Sequence, residues 1–182
     1  LMRNMEGKVA LVSAASKGLG RASALAIARR GAKVALCSRN GEEAAAAAKE
    51  IAEEAGVETW HCAADVSQAN GVKDFVEGAA ARFGGVDVLV SNAGGPPQGE
   101  FKDFSEADWQ SAFELSVMSA IRLVGAVLPH MKGRGDGRII FILSSSVKEP
   151  IDNLLLSNVM RPAVAGLSKS LSKELAGEGI LV

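Results

Sequence analysis

The sequence predicts an α/β fold in which helices cover both faces of a doubly wound parallel sheet. Short apolar segments of strand length alternate with helical patterns along the chain, and a parallel sheet requires this alternation. The segment Arg138 to Leu143 is almost wholly apolar, as expected of a central parallel strand buried on both faces. A glycine-spaced turn, Ser13 to Gly20, joins the first strand to the first helix and is the most informative segment.

Length and composition indicate one globular domain spanning residues 1–182. Apolar residues make up 48% of the chain and charged residues 23%, with a formal net charge of -1. No apolar run approaches the roughly 20 residues that span a bilayer, and no basic stripe offers a surface for nucleic acid. We therefore expect a small-molecule partner, without nucleic acid or membrane.

The cysteines and histidines predict no metal site. Cys37 and Cys62 fall in predicted buried strands without CxxC spacing, and neither His61 nor His130 has clustered ligands nearby. The best interpretation is that both cysteines are small core residues in a reducing compartment. Residues 2–5 lead into the first strand without an apolar leader, so we expect a cytoplasmic protein.

Periodicity and capping signals place the elements of the first half of the chain. The predicted elements are a strand Val9 to Val12, a helix Arg21 to Arg30, a strand Lys33 to Cys37, a helix ending at Ala55 and a strand Glu58 to Ala63. Asn40 is expected to cap the second helix, and Gly31 and Gly56 are expected to end the first two helices.

The second half continues the alternation. The predicted elements are a helix capped by Ser67, a strand Val86 to Val90, a long helix Ser105 to Met131, a strand Arg138 to Leu143, a helix Leu155 to Ala176 and a strand from Ile180 to Val182. Ser105 with Asp108 three residues later forms a capping-box pattern. Pro162 should force the last helix either to begin near Ser157 or to bend there.

The glycine-spaced turn predicts a site for an anion. Gly18 and Gly20 have no Cβ, so the backbone can approach a ligand, and unpaired N–H groups at a helix start point toward negative charge. A dinucleotide pyrophosphate fits this description, although a glycine turn alone could also be a plain tight connection within an α/β scaffold.

The end of the second strand bears on which dinucleotide binds. In nicotinamide-binding folds a carboxylate there bonds a free ribose 2′-hydroxyl, whereas an Arg favours a 2′-phosphate. The chain reads Ser38-Arg39-Asn40 and has Lys17 as a second cation, so we expect NADP(H) rather than NAD(H). The alternative is that Arg39 is an ordinary solvated residue.

Several motifs in order resemble the short-chain dehydrogenase/reductase superfamily, nearest in general character to its 3-oxoacyl-acyl-carrier-protein reductase-like members. Residues 13–20 correspond to the T-G-x-x-x-G-x-G turn, Asp65-Val66 to a D-V pair bordering the adenine, residues 91–94 to N-N-A-G, and residues 137–145 to the strand that carries the catalytic serine. The resemblance implies a Rossmann-like fold. The cofactor-binding positions it implies are Ser13, Ala15, Ser16, Lys17, Gly18, Leu19, Gly20, Ser38, Arg39, Asn40, Asp65, Val66, Asn92, Ala93, Gly94 and Arg161.

The catalytic positions depart from the family pattern. Members usually carry Tyr-x-x-x-Lys on the helix after the fifth strand, but this chain has no Tyr. Counting back from Gly166-Leu167 puts the tyrosine position on Ser157 and the lysine position on Arg161, with the family serine at Ser144. Ser116 replaces the asparagine of the long helix. Ala14 stands in place of the first glycine, which alanine tolerates unless the backbone needs positive φ.

The substituted residues retain only part of the family's chemistry. Ser157 is a weaker acid and a shorter arm than a phenol of pKa about 10. Arg161 offers several donors on the same helix face but does not readily relay protons. Hydride transfer would then rely on Ser144 and Arg161 to stabilise a developing oxyanion, with water as the proton source. The loop after the fifth strand contains three further acid–base groups, Lys148, Glu149 and Asp152. The alternative is that this is an ordinary solvated loop.

Two functions remain open besides a plain scaffold. The first is an NADP(H)-dependent oxidoreductase acting on a carbonyl or alcohol, with an acyl-thioester-like ketone as one candidate substrate. The second is a catalytically silent NADP-binding sensor or partner subunit. The resemblance also implies a homodimer or homotetramer formed through the two long helices, and family chains continue beyond the sixth strand, so we expect the native polypeptide to be longer and the C-terminal part of the fold to be missing.

Overall fold

The computed structural model describes residues 4–182. The expectation that no leader precedes the first strand rests partly on Met2 and Arg3, which lie outside the described residues, as does Leu1. The strands form one parallel sheet with the order β3-β2-β1-β4-β5-β6. Their bounds are β1 Val9–Val12, β2 Lys33–Ser38, β3 Thr59–Ala63, β4 Val88–Ser91, β5 Gly137–Phe141 and β6 Ile180–Leu181.

Helices connect the strands and confirm the predicted alternation. Within residues 4–182 the α-helices are α1 Gly18–Ala28, α2 Gly41–Ala55, α3 Ala69–Phe83, α4 Glu106–Phe113, α5 Ser119–Met131 and α6 Leu155–Glu174. A π-helical turn, Glu114–Met118, joins α4 to α5. The predicted long helix is therefore two α-helical segments separated by this turn.

The sheet carries an apolar layer on each face. On one face, Val12 and Leu36 pack with the alanines of α1 and α2. On the other face, Leu11, Leu89 and Ile139 pack with side chains of α3, α5 and α6. Because neighbouring residues of a strand point to opposite faces, these parallel strands are apolar at successive positions. The predicted fold class, a doubly wound parallel sheet, is confirmed.

The predicted central strand is buried less completely than expected, and Ile140 is its most exposed residue. Ile140 is 48% exposed, although the sequence predicts burial of this strand on both faces. Ile140 is paired in register with Val90, so it lies on the same face as α1 and α2. Those two helices pack over β1, β2 and β3, which leaves the β5 side of that face open in the described part of the chain.

The start of two helices differs from the prediction. Helix α1 begins at Gly18 rather than Arg21, because the glycine turn itself enters the first helical turn, and it ends at Ala28 before Gly31. Helix α3 is preceded by Gln68, not by the expected cap Ser67. The Ser67 N–H instead donates to Asp65 Oδ1 at 3.0 Å, which turns the chain before the helix begins.

Other boundaries shift by one to three residues, as is usual for element ends. Asn40 and the Ser105–Asp108 capping box cap α2 and α4 as predicted. Helix α6 begins at Leu155 and ends at Glu174, so Pro162 lies in its interior with its ring exposed to solvent. The helix thus starts two residues before Ser157, close to one of the predicted starts, but Pro162 lies beyond the first turn, where proline is best tolerated.

The segment Glu106–Met131 is long and apolar enough to cross a membrane by length and composition alone, although Glu114 and Arg122 interrupt its apolar residues. Of its most apolar window, 44% is buried inside the fold. Leu123, Val127 and Met131 belong to the apolar layer over the sheet. A core helix meets the same criterion of length and hydropathy, and this segment packs as one.

Candidate functional site

The strand order reverses between β1 and β4, which leaves a crevice beyond their carboxyl ends. In open α/β sheets ligands bind at this switch point. The crevice has a volume of about 670 Å³. The predicted binding residues that line it are Ser16, Lys17, Leu19, Ser38, Arg39, Asn40, Asp65, Val66, Asn92, Ala93 and Gly94.

The amino end of α1 opens into this crevice without a capping side chain. Lys17 precedes the helix in an extended conformation, no side chain caps it, and its first turn contains no acidic residue. The first N–H groups of a helix lack intrahelical partners, and the helix dipole adds partial positive charge there. This end of α1 is therefore able to hold an anion.

The two glycines of the turn have different roles. Gly18 has φ +59° and open space around the position of a Cβ. A Cβ on Gly20 would lie 2.4 Å from the Ala14 carbonyl oxygen and 2.8 Å from Asn92 Nδ2. Gly20 thus allows α1 to approach the strand ends closely, whereas the sequence suggested only an approach to a ligand.

Ser13 and Ala15 are fully buried beneath the crevice and do not line it. The Ser13 hydroxyl donates to the Asn92 carbonyl oxygen at 2.6 Å and accepts from the Asn92 N–H at 2.9 Å. These bonds join the carboxyl ends of β1 and β4. Both residues shape the crevice from below.

Ala14 lines the crevice in a backbone conformation that is unusual for alanine. Its φ is +47°, and its carbonyl oxygen accepts from Asn92 Nδ2 at 3.1 Å. Left-handed backbone costs a residue with a Cβ roughly 1–2 kcal/mol. The backbone therefore needs positive φ at residue 14, which is the condition under which alanine was expected to be a poor substitute for glycine.

The part of the crevice beside the end of β2 is rich in charge. Arg39 is exposed and has no ion-pair partner among residues 4–182. Lys17 Nζ lies 3.8 Å from Glu43 Oε2, and the Ser16 hydroxyl donates to the same oxygen at 3.1 Å. Glu43 lines the crevice, so this end contains a carboxylate as well as two cations.

Two further predicted residues use their side chains to shape the crevice wall. The Ser38 hydroxyl donates to the Asn40 carbonyl oxygen at 2.8 Å and accepts from the Asn40 N–H at 3.1 Å. Asp65 holds the turn before α3. These contacts fix the loops after β2 and β3 at the carboxyl edge of the sheet.

The four predicted catalytic residues lie outside the crevice lining. Ser144 follows β5, and its hydroxyl oxygen accepts from the Ser146 N–H at 3.1 Å, which leaves its O–H able to donate. Ser157 is half-buried in the first turn of α6. Ser116 is buried in the π-helical turn, and its hydroxyl has no hydrogen-bond partner among the described residues.

Arg161 is 9% exposed, and its guanidinium donates to three backbone carbonyls. Nη1 reaches the Ile142 oxygen at 3.1 Å, and Nη2 reaches the oxygens of Gly94 at 3.3 Å and Ala93 at 3.5 Å. Nε has no partner within residues 4–182. Arg161 therefore connects α6 to the carboxyl ends of β4 and β5.

Burial lowers the pKa of Arg161 from its usual value, because a charged group loses hydration inside the fold. The guanidinium nevertheless stays protonated near neutral pH. In the described part of the chain it has no carboxylate partner. It is consequently a buried positive charge stabilised by backbone dipoles alone.

The sulfur and metal predictions concern residues that do not line the crevice. Burial raises the pKa of the Cys37 thiol to about 12 and that of the Cys62 thiol to about 11. Cys62 is only half-buried, which is less than predicted. Both thiols are free. Across residues 4–182, no three His, Cys, Asp or Glu side chains are grouped so as to hold a metal ion.

Sequence reasoning missed several residues of the crevice lining: Ala14, Glu43, Ala64, Gly95, Pro97 and Leu115. The signal for Glu43 was present. A helix that follows a parallel strand begins at the carboxyl edge of the sheet, so its first turn faces the crevice. Leu115 gave no comparable signal, because the π-helical turn that contains it breaks the helical periodicity.

Solved structures with the same fold include enzymes with bound coenzyme. L-sorbose reductase from Gluconobacter frateurii, solved with NADPH and L-sorbose, is 34% identical with a TM-score of 0.95, over 99% of this chain and 68% of that one. An NAD⁺-bound xylitol dehydrogenase is 28% identical with a TM-score of 0.91, over 97% of this chain and 68% of that one.

Sequence comparison agrees with the structural comparison. Dehydrogenase/reductase SDR family member 6 of Danio rerio is 36% identical in an alignment of 181 residues that covers 98% of this chain and 69% of the relative. The sequence model of the short chain dehydrogenases matches residues 8–182. Since that match includes the glycine turn, the crevice walls and helix α6, the chain belongs to the short-chain dehydrogenase/reductase superfamily.

Proposed function

We propose that the protein is an oxidoreductase that transfers hydride between NADP(H) and a carbonyl or alcohol substrate. The observation that carries this proposal is the crevice at the switch point, where the uncapped amino end of α1 meets Lys17 and Arg39. The relatives are named dehydrogenases and reductases, which supports the reaction class. The Gluconobacter frateurii reductase was solved with NADPH, which supports a phosphorylated coenzyme.

The cations at one end of the crevice and its position at the strand ends support a dinucleotide as the ligand. The N–H groups at the start of α1 would hold the pyrophosphate, and Lys17 with Arg39 would face a 2′-phosphate. Asp65 and Val66 would border the adenine, with Asn92 to Gly94 forming the wall toward the nicotinamide. Because the fold also accepts NAD⁺ in the xylitol dehydrogenase, the preference for NADP(H) depends on this chain's own side chains.

The coenzyme, when bound, supplies or accepts a hydride, and the protein must stabilise the oxygen where charge develops. The Ser144 hydroxyl accepts a hydrogen bond from the Ser146 N–H. That bond uses a lone pair and not the O–H, so the O–H can donate to a substrate carbonyl oxygen. Ser157 lacks the acidity and reach of a phenol, so we assign the proton to water. Arg161 and Ser116 do not line the crevice. Arg161 would stabilise the developing negative charge through its fixed positive charge, and Ser116 would support the site from its buried position.

The substrate class that we propose is a small ketone or secondary alcohol. The reductase solved with L-sorbose and the xylitol dehydrogenase favour a polyhydroxylated compound, and a 3-oxoacyl-thioester-like ketone is the second candidate. Both contain a carbonyl that Ser144 could polarise in the same way.

One observation favours a different function, a catalytically silent NADP-binding sensor or partner subunit. The Arg161 guanidinium stands at the position of the family lysine, and its Nη groups donate to the carbonyls of Ile142, Ala93 and Gly94. It is therefore less available to a ribose than a free lysine would be. In this hypothesis the crevice retains binding while the catalytic residues have diverged.

A fluorescence titration tests the binding step common to both functions. We expect NADPH emission to change with a saturable dependence on protein concentration, and Arg39→Ala to weaken NADPH binding. Arg82→Ala, an exposed arginine on α3, is the matched control and should leave binding unchanged. A flat response of the wild-type protein to NADPH and NADH would leave only a plain scaffold.

A ketone panel separates catalysis from silent binding. Wild-type protein, a Ser157→Tyr, Arg161→Lys double variant and Ser144→Ala would be assayed with NADPH, L-sorbose, other small ketones and an acetoacetyl thioester. The oxidoreductase proposal predicts wild-type turnover that Ser144→Ala reduces by about 10²-fold or more. If the wild type is inactive while the double variant turns over, the silent function replaces it.

We further propose a homodimer or homotetramer that uses α5 and α6. Ile121 on α5 is 41% exposed and Val159 on α6 is 47% exposed, which supports apolar contact between copies. Analytical ultracentrifugation tests this directly. Ile121→Glu combined with Val159→Glu should shift the protein toward monomer, and a wild-type monomer at micromolar concentration would contradict the assembly.

A further inference from the structure

Glu43 introduces a negative charge among the cations expected to face a 2′-phosphate. It lies in the first turn of α2, where its N–H donates to the Asn40 side-chain oxygen at 3.2 Å. The helix start therefore fixes the backbone from which its side chain extends. Its carboxylate lines the same crevice as Lys17 and Arg39.

A single carboxylate oxygen engages both polar neighbours. Glu43 Oε2 accepts from the Ser16 hydroxyl at 3.1 Å and lies 3.8 Å from Lys17 Nζ. Because the side chain of Lys17 is 84% exposed and that of Glu43 is 46% exposed, water competes for this pair. Such a pair contributes little to folding stability, so another anion can replace Glu43 as the partner of Lys17.

The charge balance of the crevice depends on this residue. Lys17 and Arg39 provide two positive charges in the lining, and Glu43 and Asp65 provide two negative ones. A 2′-phosphate held by Lys17 and Arg39 would add negative charge to this crevice, whereas a free 2′-hydroxyl would add none. Glu43 consequently opposes one coenzyme much more than the other.

We propose that Glu43 is a specificity-determining residue that limits the preference for NADP(H) over NAD(H). Its carboxylate competes with the 2′-phosphate for Lys17 Nζ and Ser16 Oγ, and it repels that phosphate. A coenzyme with a free 2′-hydroxyl leaves the contacts between Glu43, Lys17 and Ser16 intact. The inference rests on the proposed function, because it concerns how that site distinguishes the two coenzymes.

The test compares two neighbouring glutamates of one helix turn. Dissociation constants for NADPH and NADH would be measured by fluorescence for wild type, Glu43→Gln and Glu42→Gln. Glu42 has the same charge and is also in the first turn of α2, but it does not line the crevice. Thermal unfolding of each variant verifies that it is folded.

We expect Glu43→Gln to bind NADPH about 5-fold more tightly, with NADH binding changed less than about 2-fold. Glu42→Gln should match wild type with both coenzymes. The gain should shrink as salt rises, because these groups are exposed. It should also be smaller in a Lys17→Met background, since the competition for that ammonium group is then removed while the direct repulsion remains.

Three outcomes overturn the inference. Equal tightening of NADPH and NADH would show that Glu43 does not act on the 2′ position. An equal gain from Glu42→Gln would show only a general field effect, and an unchanged NADPH affinity would show no effect at all. In each of these cases the wild-type protein still binds NADPH and the proposed function stands, whereas failure of the wild type to bind either coenzyme removes both.

Discussion

Arg161 Nη1 donates to the carbonyl oxygen of Ile142 at 3.1 Å, across 19 residues of sequence. With the bonds from Nη2 to Ala93 and Gly94, this contact fastens α6 to the ends of two strands. A buried guanidinium without a carboxylate partner persists because backbone carbonyls take up its N–H groups. These contacts give Arg161 a structural role that does not depend on any role in catalysis.

Arg161→Lys should therefore destabilise the fold. A lysine ammonium has three donors on a differently shaped arm and cannot reproduce the planar fork, so we expect the free energy of unfolding to fall by about 1–3 kcal/mol. Urea unfolding monitored by circular dichroism measures this change. Arg82→Lys on the exposed surface of α3 is the matched control, and an equally small effect at both positions would contradict the fastening role.

Asp87 predicts a pH dependence at the opposite edge of the sheet. Burial opposes its ionisation, but bonds from Arg134 and from the Val9 N–H, together with the charge of Lys8, lower the pKa of this carboxyl overall. A lowered folded-state pKa gives stability that is present above the unfolded value of about 3.9 and is lost as pH falls through the folded value.

Asp87→Asn should thus lower the free energy of unfolding by about 2 kcal/mol at pH 7. The difference from wild type should begin to narrow below about pH 4, where the Asp87 carboxyl of the unfolded chain takes up a proton. It should narrow further as pH falls through the lower pKa of the folded protein. Urea unfolding at pH 7, 5 and 3.5 provides the measurement. Asp136→Asn, an exposed partner of Lys8, serves as control, and a gap that stayed constant with pH would reject the linkage.

The fold was predictable because its signals are local. The glycine turn, the Asn40 cap and the Ser105–Asp108 capping box are each read within a few residues, and alternating elements leave few topologies. Ser67 failed as a cap because Asp65 offered a competing local bond. Competition between neighbouring polar side chains is difficult to resolve without coordinates.

The site was only partly predictable, because it depends on contacts between distant segments. The residues along the strand ends could be named, since carboxyl ends of parallel strands share one edge. The contacts of Arg161 join segments 67 and 68 residues apart, and the exposure of Ile140 depends on which elements cover β5. Neither property is contained in the local pattern of the sequence.

Gly20→Ala should be more damaging than Gly18→Ala. A new Cβ at residue 20 would meet backbone at 2.4 Å, so α1 would have to move away from β1, at a cost of about 2–3 kcal/mol. At Gly18 the space is open and the cost comes from φ +59° alone, about 1–2 kcal/mol. Urea unfolding of both variants measures the difference, and the reverse order would show that Gly20 does not set the helix approach.

Ala14→Gly should stabilise the fold slightly or leave it unchanged. Glycine removes the cost of the left-handed conformation at φ +47°, about 1–2 kcal/mol, but loses about 0.4–1 kcal/mol through greater freedom of the unfolded chain. Ala15→Gly is the matched control, because Ala15 is fully buried without a positive φ and should lose about 1 kcal/mol. Thermal unfolding that ranked Ala14→Gly below Ala15→Gly would contradict backbone strain at residue 14.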